Sequence, residues 1–148
     1  MNYKSHIPTN NMNQPVLVVA AIIRKNGKLL IAQRKNDSKR EPNKWEFPGG
    51  KVEFGEHPED AIIREIKEEL NIKIKVNTFF SVSSHMYERD GKPSHVILLT
   101  FLTTYLSGKL EHLDVQDSKW IYPHQFSKFQ FVAGDKKIIN KLKKKSKS

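Results

Sequence analysis

The stretch Trp45–Glu56 reads WEFPGGKVEFGE, and residues 64–72 read REIKEELNI. A pair of glycines is therefore followed by a segment in which Glu65, Glu68 and Glu69 occupy neighbouring helical positions. No fold needs this combination for its own stability. Closely spaced carboxylates beside a glycine turn indicate a divalent-metal site for phosphate chemistry.

A helix is predicted to begin near Pro58, because proline suits the first helical turn, where its missing amide would have no partner. At about 100° per residue, one stripe of this helix is apolar and the next carries the three glutamates. The apolar stripe is expected to pack in the core and the acidic stripe to face a cleft. Asn71 follows the last periodic residue, where helices often turn into a left-handed conformation. The apolar stripe consists of Ile62, Ile63, Ile66 and Leu70.

Carboxylates held close together repel one another, so that without a cation their pKa values rise or the loop moves away. Magnesium prefers oxygen ligands and keeps several waters, which suits a site of glutamates and backbone carbonyls. Manganese is the alternative. The chain has no cysteine, and its six histidines lack metal-ligand spacing. The sequence therefore argues against zinc.

The two segments together resemble the signature of the Nudix hydrolases: Gly, five residues, Glu, seven residues, Arg-Glu, an aliphatic residue, any residue, Glu-Glu, any residue, Gly, an aliphatic residue. The chain departs from this pattern where Asn71 replaces the final glycine. The residues before the second glycine are similar to those of MutT-like members, which hydrolyse nucleoside triphosphates. The matching positions are Gly50, Glu56, Arg64, Glu65, Ile66, Glu68, Glu69 and Ile72.

The resemblance implies roles for these residues. Glu68 and Glu69 would be the principal metal ligands, Glu65 a ligand or the base that activates water, and Arg64 the residue that orients them. The implied reaction is attack of water on an inner phosphorus of a nucleoside diphosphate linkage, which releases a nucleotide and pyrophosphate or a second phosphate-bearing fragment. The implied catalytic residues are Arg64, Glu65 and Glu68, and the implied metal ligands are Gly49, Glu56, Glu65, Glu68, Glu69 and Asp114.

Four further residues are candidates for holding the nucleotide. Arg34 and Lys51 match basic residues of MutT-like enzymes and would contact phosphates, although each could be an ordinary solvated side chain. Phe47 is a candidate wall for the base. Asp135 resembles the Asn or Asp with which family members read the base, but it could instead cap the last helix. An ionised Asp135 would favour bases that present donors, such as guanine or cytosine.

The chain has 148 residues, of which 37% are hydrophobic, and this suits one domain with a substantial core. Its formal charge of +10 lies largely at the ends, because residues 141–148 carry five lysines and no acid. Residues 1–15 are expected to form a disordered arm, residues 16–142 the domain and residues 143–148 a basic tail. Such a tail favours only weak contact with nucleic acid.

No apolar run reaches membrane-spanning length, and no leader pattern precedes the first predicted strand. No membrane partner is expected, and the protein is expected to be located in the cytoplasm. The expected partner is a small nucleotide, with the protein a monomer or a homodimer.

Turn residues and hydrophobic patterns predict the remaining elements. Residues 16–23 form a β-branched run, and Asn26-Gly27 is a hairpin turn that leads into a strand over 29–33. Two helices that flank a mixed sheet give an α/β fold, an α/β/α sandwich, which is also the fold that the resemblance implies. Further strands are predicted over 73–83, 96–105 and 119–121, with a loop over 89–93 and a helix over 135–144.

Three functions stay open at this stage. The first is magnesium-dependent hydrolysis of a nucleoside triphosphate to a monophosphate and pyrophosphate, with an oxidised or non-standard substrate such as 8-oxo-dGTP or a cytosine nucleotide. The second is hydrolysis of another nucleoside diphosphate compound, such as ADP-ribose or a dinucleoside polyphosphate. The third is a non-catalytic nucleotide- or RNA-binding module, which would be expected to have a damaged acidic site.

Overall fold

The computed structural model describes residues 14–146. Two α-helices are present in this part, α1 (Pro58–Leu70) and α2 (Lys136–Ser146), with 3-10 turns at Pro123–Lys128 and Ala133–Asp135. The strands are β1 (Val16–Lys25), β2 (Lys28–Gln33), β3 (Trp45–Glu46), β4 (Gly49–Lys51), β5 (Lys73–Arg89), β6 (Lys92–Ser107) and β7 (Asp117–Ile121).

These strands form one mixed sheet in the order β3-β2-β1-β6-β5, with β4 paired to β1 and β7 paired to β2. β1 and β6 run parallel over nine residue pairs, from Val16 with Val96 to Arg24 with Thr104. The other pairs are antiparallel. The parallel pair places β1 in the middle of the sheet, with β4 and its glycines along one side.

The two faces of the sheet have separate cores, because side chains alternate along each strand. On one face, Val19, Ala21 and Ile23 pack with α1, and on the other, Ala20 and Ile22 pack with α2 and the turns before it. Helices on both faces confirm the predicted α/β/α sandwich. The core residues from the helices are Ala61, Ile62, Ile66 and Leu70 on the α1 face and Ile138 and Ile139 on the α2 face.

Helix α1 begins and ends as the sequence predicts. Pro58 is its first residue, and the ring of His57 accepts a bond from the amide of Glu59. Asn71 is left-handed, with φ of 59°. The prediction that Ile63 packs inward is wrong, since this side chain is 37% exposed. It lies at the margin of the apolar stripe, beyond the part of the helix that the sheet covers.

The hairpin of β5 and β6 is longer and tighter than predicted. Its strands continue to Arg89 and Lys92, so that the predicted loop over 89–93 is a two-residue turn. Asp90 and Gly91 both have positive φ, the conformation of a type I′ hairpin turn. Pro93, a residue type usually confined to sheet edges, lies in the paired part of the hairpin opposite Glu88.

The last helix also extends past its predicted end at residue 144 and past the predicted end of the domain at residue 142. It continues to Ser146, and Lys141 donates a hydrogen bond to the carbonyl of Phe80 while Lys145 lies over the Phe80 ring. Residues 143–146 are therefore part of the helix and not a tail. The arm predicted for residues 1–15 lies mostly outside the described residues, as do residues 147–148. No helix within 14–146 is long and apolar enough to cross a membrane.

Candidate metal and nucleotide site

The glycine pair of β4 is fixed by close packing on both sides. A Cβ atom on Gly49 would overlap the carbonyl oxygen of Val19 on β1, and a Cβ atom on Gly50 would overlap the carboxylate of Glu65 on α1. Neither glycine has a left-handed φ, so the need for glycine comes from space and not from conformation. The absence of both side chains lets α1 bring its acidic stripe against the backbone of β4.

Arg64 lies at the centre of the acidic side chains. Its Nε donates to Glu56 (2.7 Å) and its Nη2 to the other oxygen of Glu56 (2.9 Å), which makes a bidentate pair. Its Nη1 donates to Glu65 (2.9 Å) and Glu68 (3.1 Å). Nη2 also donates to the carbonyl of Lys51 (3.0 Å), so that the same guanidinium joins α1, β4 and the loop between them. These contacts would let Arg64 orient the acids, the role that the resemblance implies for it, and that role stays a prediction.

The charges in this network stabilise one another. The hydrogen bonds from Arg64 lower the pKa of Glu56 to about 2, with a smaller contribution from the backbone amide of Glu53. The hydrogen bonds that Arg64 donates to Glu56, followed by the one it donates to Glu65, raise the pKa of Arg64 further above its ordinary value. Glu56 and Arg64 are therefore both charged at neutral pH.

Glu69 is not among the hydrogen-bond partners given above for Arg64. It lines a hollow of about 190 Å³ with Gly49 and Asp114. Burial, then the negative charges of Glu46, Glu65 and Asp114, raise its pKa to about 9. Asp114 is 69% exposed at the mouth of this hollow and forms an ion pair with Lys35 (3.1 Å). Negative charge thus exceeds positive charge around Glu69, which is the environment that a cation would relieve.

The donor set fits a hard divalent ion, because every candidate ligand offers oxygen. In the described part of the chain, however, no three Asp, Glu or His side chains already converge closely enough to hold a metal. Arg64 holds Glu56, Glu65 and Glu68. Glu65 also shares a side-chain hydrogen bond with Glu69, which faces the hollow that Asp114 lines.

A cavity of about 200 Å³ lies between the start of β1, the glycine pair and the turn before α2. Asp135 lies in its wall, 5% exposed, and its Oδ2 accepts a hydrogen bond from the amide of Phe47 (2.7 Å). This bond joins Asp135, the candidate for reading the base, to the segment that contains the glycine pair. It is a different contact from the helix cap that the sequence left open for Asp135. The ring of Phe47 is 3% exposed and packs on Phe126 and Phe131, so this residue forms the floor of the cavity and not an open wall.

Burial raises the pKa of Asp135 well above its ordinary value, and the charge of Glu46 raises it further. Burial likewise raises the pKa of Glu46, against the lowering effect of Arg34. The base preference predicted from the sequence is that of an ionised Asp135. A carboxyl buried in this way retains its proton to higher pH than an exposed carboxyl does, and a protonated carboxyl donates a hydrogen bond as well as accepting one.

Arg34 lines both hollows, and its side chain is held in place. Its Nη1 donates to Glu46 (3.0 Å) and its Nε to the carbonyl of Arg40 (3.0 Å). Lys51 is exposed and lines the cavity that contains Asp135. Arg34 and Lys51 therefore border the same cavity from β2 and β4.

Sequence reasoning missed four residues of this cavity. Arg40 stacks on the ring of Tyr87, 3.9 Å from its centroid, and Glu41 accepts a bond from the amide of Ala133 (3.0 Å). These contacts join segments far apart in the chain and leave no local pattern. Glu46 was the exception, because a charged residue between two large apolar residues was a signal that could have been read.

The chain belongs to the Nudix hydrolase family, since the NUDIX domain model matches residues 12–142. The CTP pyrophosphohydrolase of Escherichia coli K12 is 36% identical over 118 residues, which cover 80% of this chain and 84% of that protein. The 8-oxo-dGTP diphosphatase of the same strain is 29% identical over 133 residues, which cover 90% and 99%. The crystal structure of a MutT NUDIX hydrolase from Burkholderia pseudomallei superposes with a TM-score of 0.78 at 26% identity, covering 88% of this chain and 99% of that one. The resemblance inferred from the sequence is confirmed.

The two glycines should respond differently to alanine. Gly49→Ala forces backbone against backbone and is expected to lower the free energy of unfolding by roughly 3 kcal/mol or more. Gly50→Ala meets only the movable end of Glu65, so it should retain most stability but displace that carboxylate. Urea unfolding and circular dichroism measure both effects. Gly55→Ala, where no atom lies near the added methyl group but φ is +79°, measures the separate cost of placing alanine in a left-handed conformation. Equal losses at 49 and 50 would contradict the packing argument.

The buried Asp135 should make stability depend on pH. Its pKa is raised in the folded state, so the folded chain binds more protons than the unfolded chain above about pH 4, and stability falls as pH rises toward the folded pKa. Asp135→Asn keeps an oxygen for the amide of Phe47 and cannot ionise. Its stability advantage over the wild type should therefore grow with pH, as measured by urea unfolding from pH 4 to 9. The other ionisable groups around Asp135 are Glu46, Glu41, Arg34 and Tyr87, and a constant difference would mean that they, not Asp135, dominate.

Proposed function

We propose that this protein hydrolyses nucleoside triphosphates to a nucleoside monophosphate and pyrophosphate with the help of a divalent metal ion, magnesium or manganese. The observation that carries the proposal is that helix α1, with all its acidic residues present and held by Arg64, lies beside the cavity that Asp135 lines. A non-catalytic binding module would not need Glu65, Glu68 and Glu69 together. All three are present beside the glycine pair.

The family generally uses divalent metal ions. Glu56, Glu65, Glu68 and Glu69, with a carbonyl of the glycine pair, would hold them here. When bound, such an ion polarises phosphoryl oxygens and lowers the pKa of a water molecule. Arg64 would orient Glu65 and Glu68 through its hydrogen bonds, and Arg34 and Lys51 offer positive charge to the phosphate chain. Glu65, held against Gly50, is the candidate to take the proton from the attacking water.

The base would lie in the cavity of Asp135. One carboxyl oxygen accepts from Phe47, and the other oxygen is the candidate to meet the base. A protonated carboxyl pairs best with a base edge that places a donor beside an acceptor, as N4 and N3 of cytosine do. Ordinary guanine offers this arrangement at N1 and O6, and oxidised guanine offers it in addition at N7 and O6, where ordinary guanine has two acceptors. The names of the two E. coli relatives, which act on CTP and on 8-oxo-dGTP, support the same two candidates.

Removal of either principal acid should stop turnover without unfolding the protein. Glu68→Gln and Glu69→Gln each remove a charge from the proposed metal site, and we expect kcat to fall by at least about a hundredfold. Pyrophosphate release with magnesium, with manganese and with a chelator measures this, over a panel that includes ADP-ribose. Glu59→Gln, on the same helix but outside the site, is the matched control. Near-normal turnover and metal dependence in either site variant would refute the ligand assignment.

Asp135 should set the preference among bases. The wild type is expected to prefer cytosine and 8-oxoguanine triphosphates over guanine triphosphate, and Asp135→Ala should reduce each preference by at least about tenfold while the metal-dependent step continues. The measurement is kcat/KM over the panel. Asp37→Ala, an exposed aspartate outside the cavities, is the control. If Asp135→Ala keeps the wild-type ranking of substrates, the role of Asp135 is limited to its hydrogen bond with the amide of Phe47.

A further inference from the structure

A third hollow of about 260 Å³ continues from the base cavity toward the turn of the β5–β6 hairpin. It shares Val18, Arg34, Arg40, Lys51 and Val96 with that cavity. Arg34 borders all three hollows: the base cavity, the hollow of Glu69 and this one. A nucleotide whose base lies near Asp135 and whose reacting phosphates lie near Glu69 therefore passes the mouth of the third hollow.

Four cationic side chains line the third hollow, from two separate segments. Arg34, Lys39 and Arg40 lie in the loop after β2, and Lys51 ends β4. Arg34 is paired with Glu46 and Arg40 stacks on Tyr87. Among the ion pairs of residues 14–146, none engages Lys39 or Lys51. Two cations are thus held in place, and two have ammonium groups available for a ligand.

Two carboxylates, Glu88 and Asp90, also line this hollow, from the hairpin. Both residues are exposed, and neither forms an ion pair with the four cations in the described structure. The remaining lining consists of the small or aliphatic residues Val16, Val18, Ser94 and Val96. With no aromatic ring to stack a second base, the hollow suits a small anion that guanidinium and ammonium groups bind, namely a phosphate.

We propose that Lys39, Arg40 and Lys51 form a phosphate-binding subsite for a phosphate other than the two joined by the bond that breaks. This inference rests on the proposed function. Arg40 can take part because stacking on Tyr87 occupies the face of its guanidinium and leaves N–H groups at the edge to donate. Two phosphates could occupy the subsite: the terminal phosphate of the triphosphate, or a phosphate on the 3′ oxygen of the nucleoside.

The decisive variant is Lys39→Ala, because Lys39 is exposed in a loop and has no part in the metal site. For a terminal phosphate, kcat/KM for a nucleoside triphosphate should fall about tenfold, while kcat/KM for the diphosphate of the same base stays within about twofold. For a 3′-phosphate, the variant should instead lose the gain in kcat/KM that a 3′-phosphate gives to the same substrates. Lys39→Arg should restore most of the effect, and Lys128→Ala, an exposed lysine outside the hollows, should change neither ratio.

Binding of inorganic pyrophosphate with magnesium, measured by calorimetry, gives a readout independent of turnover. Weaker binding by Lys39→Ala than by Lys128→Ala supports the subsite. If the wild type hydrolyses no nucleotide, the proposed function fails, while the binding measurement still judges the subsite. If Lys39→Ala leaves pyrophosphate affinity, the triphosphate-to-diphosphate ratio and the effect of a 3′-phosphate all unchanged, the inference is wrong.

Discussion

The site depends on one guanidinium group. Arg64 makes a two-pronged contact with Glu56 and single contacts with Glu65, Glu68 and the carbonyl of Lys51. Without it, several carboxylates close to one another on one helix and one loop would repel and separate. Because the guanidinium is planar and its donors point in fixed directions, it determines where each acid lies.

The same arrangement explains why most of this half of the molecule could be predicted. The glycine pair, the acidic stripe, Pro58 and Asn71 are all encoded within about one helix length of each other, and helix periodicity and turn preference act over that distance. The Asn26-Gly27 hairpin is local in the same sense. The exact margin of the apolar stripe was not predictable, because the exposure of Ile63 depends on how far the sheet extends beneath the helix.

The base cavity was predicted only in part, for a physical reason. Asp135 and Phe47 are 88 residues apart, and Glu41 and Ala133 are 92 apart. Contacts at such separations depend on the whole topology, so Arg40, Glu41 and Tyr87 gave no signal. The raised pKa of Asp135 was missed for the same reason, since burial is a property of the assembled core. The residue type alone does not reveal it.

The placement of Asp135 at the end of a 3-10 turn, directly before α2, has a consequence for synthesis. Residues 45–70, with the glycines, Arg64 and the acidic helix, leave the ribosome long before residues 123–142. The apolar face of the sheet that α2 covers, including Ile22 and Ile31, stays open until those later residues arrive. A nascent chain can therefore assemble its acidic half while it still has no means of choosing between bases, and chaperone protection would matter most in that interval.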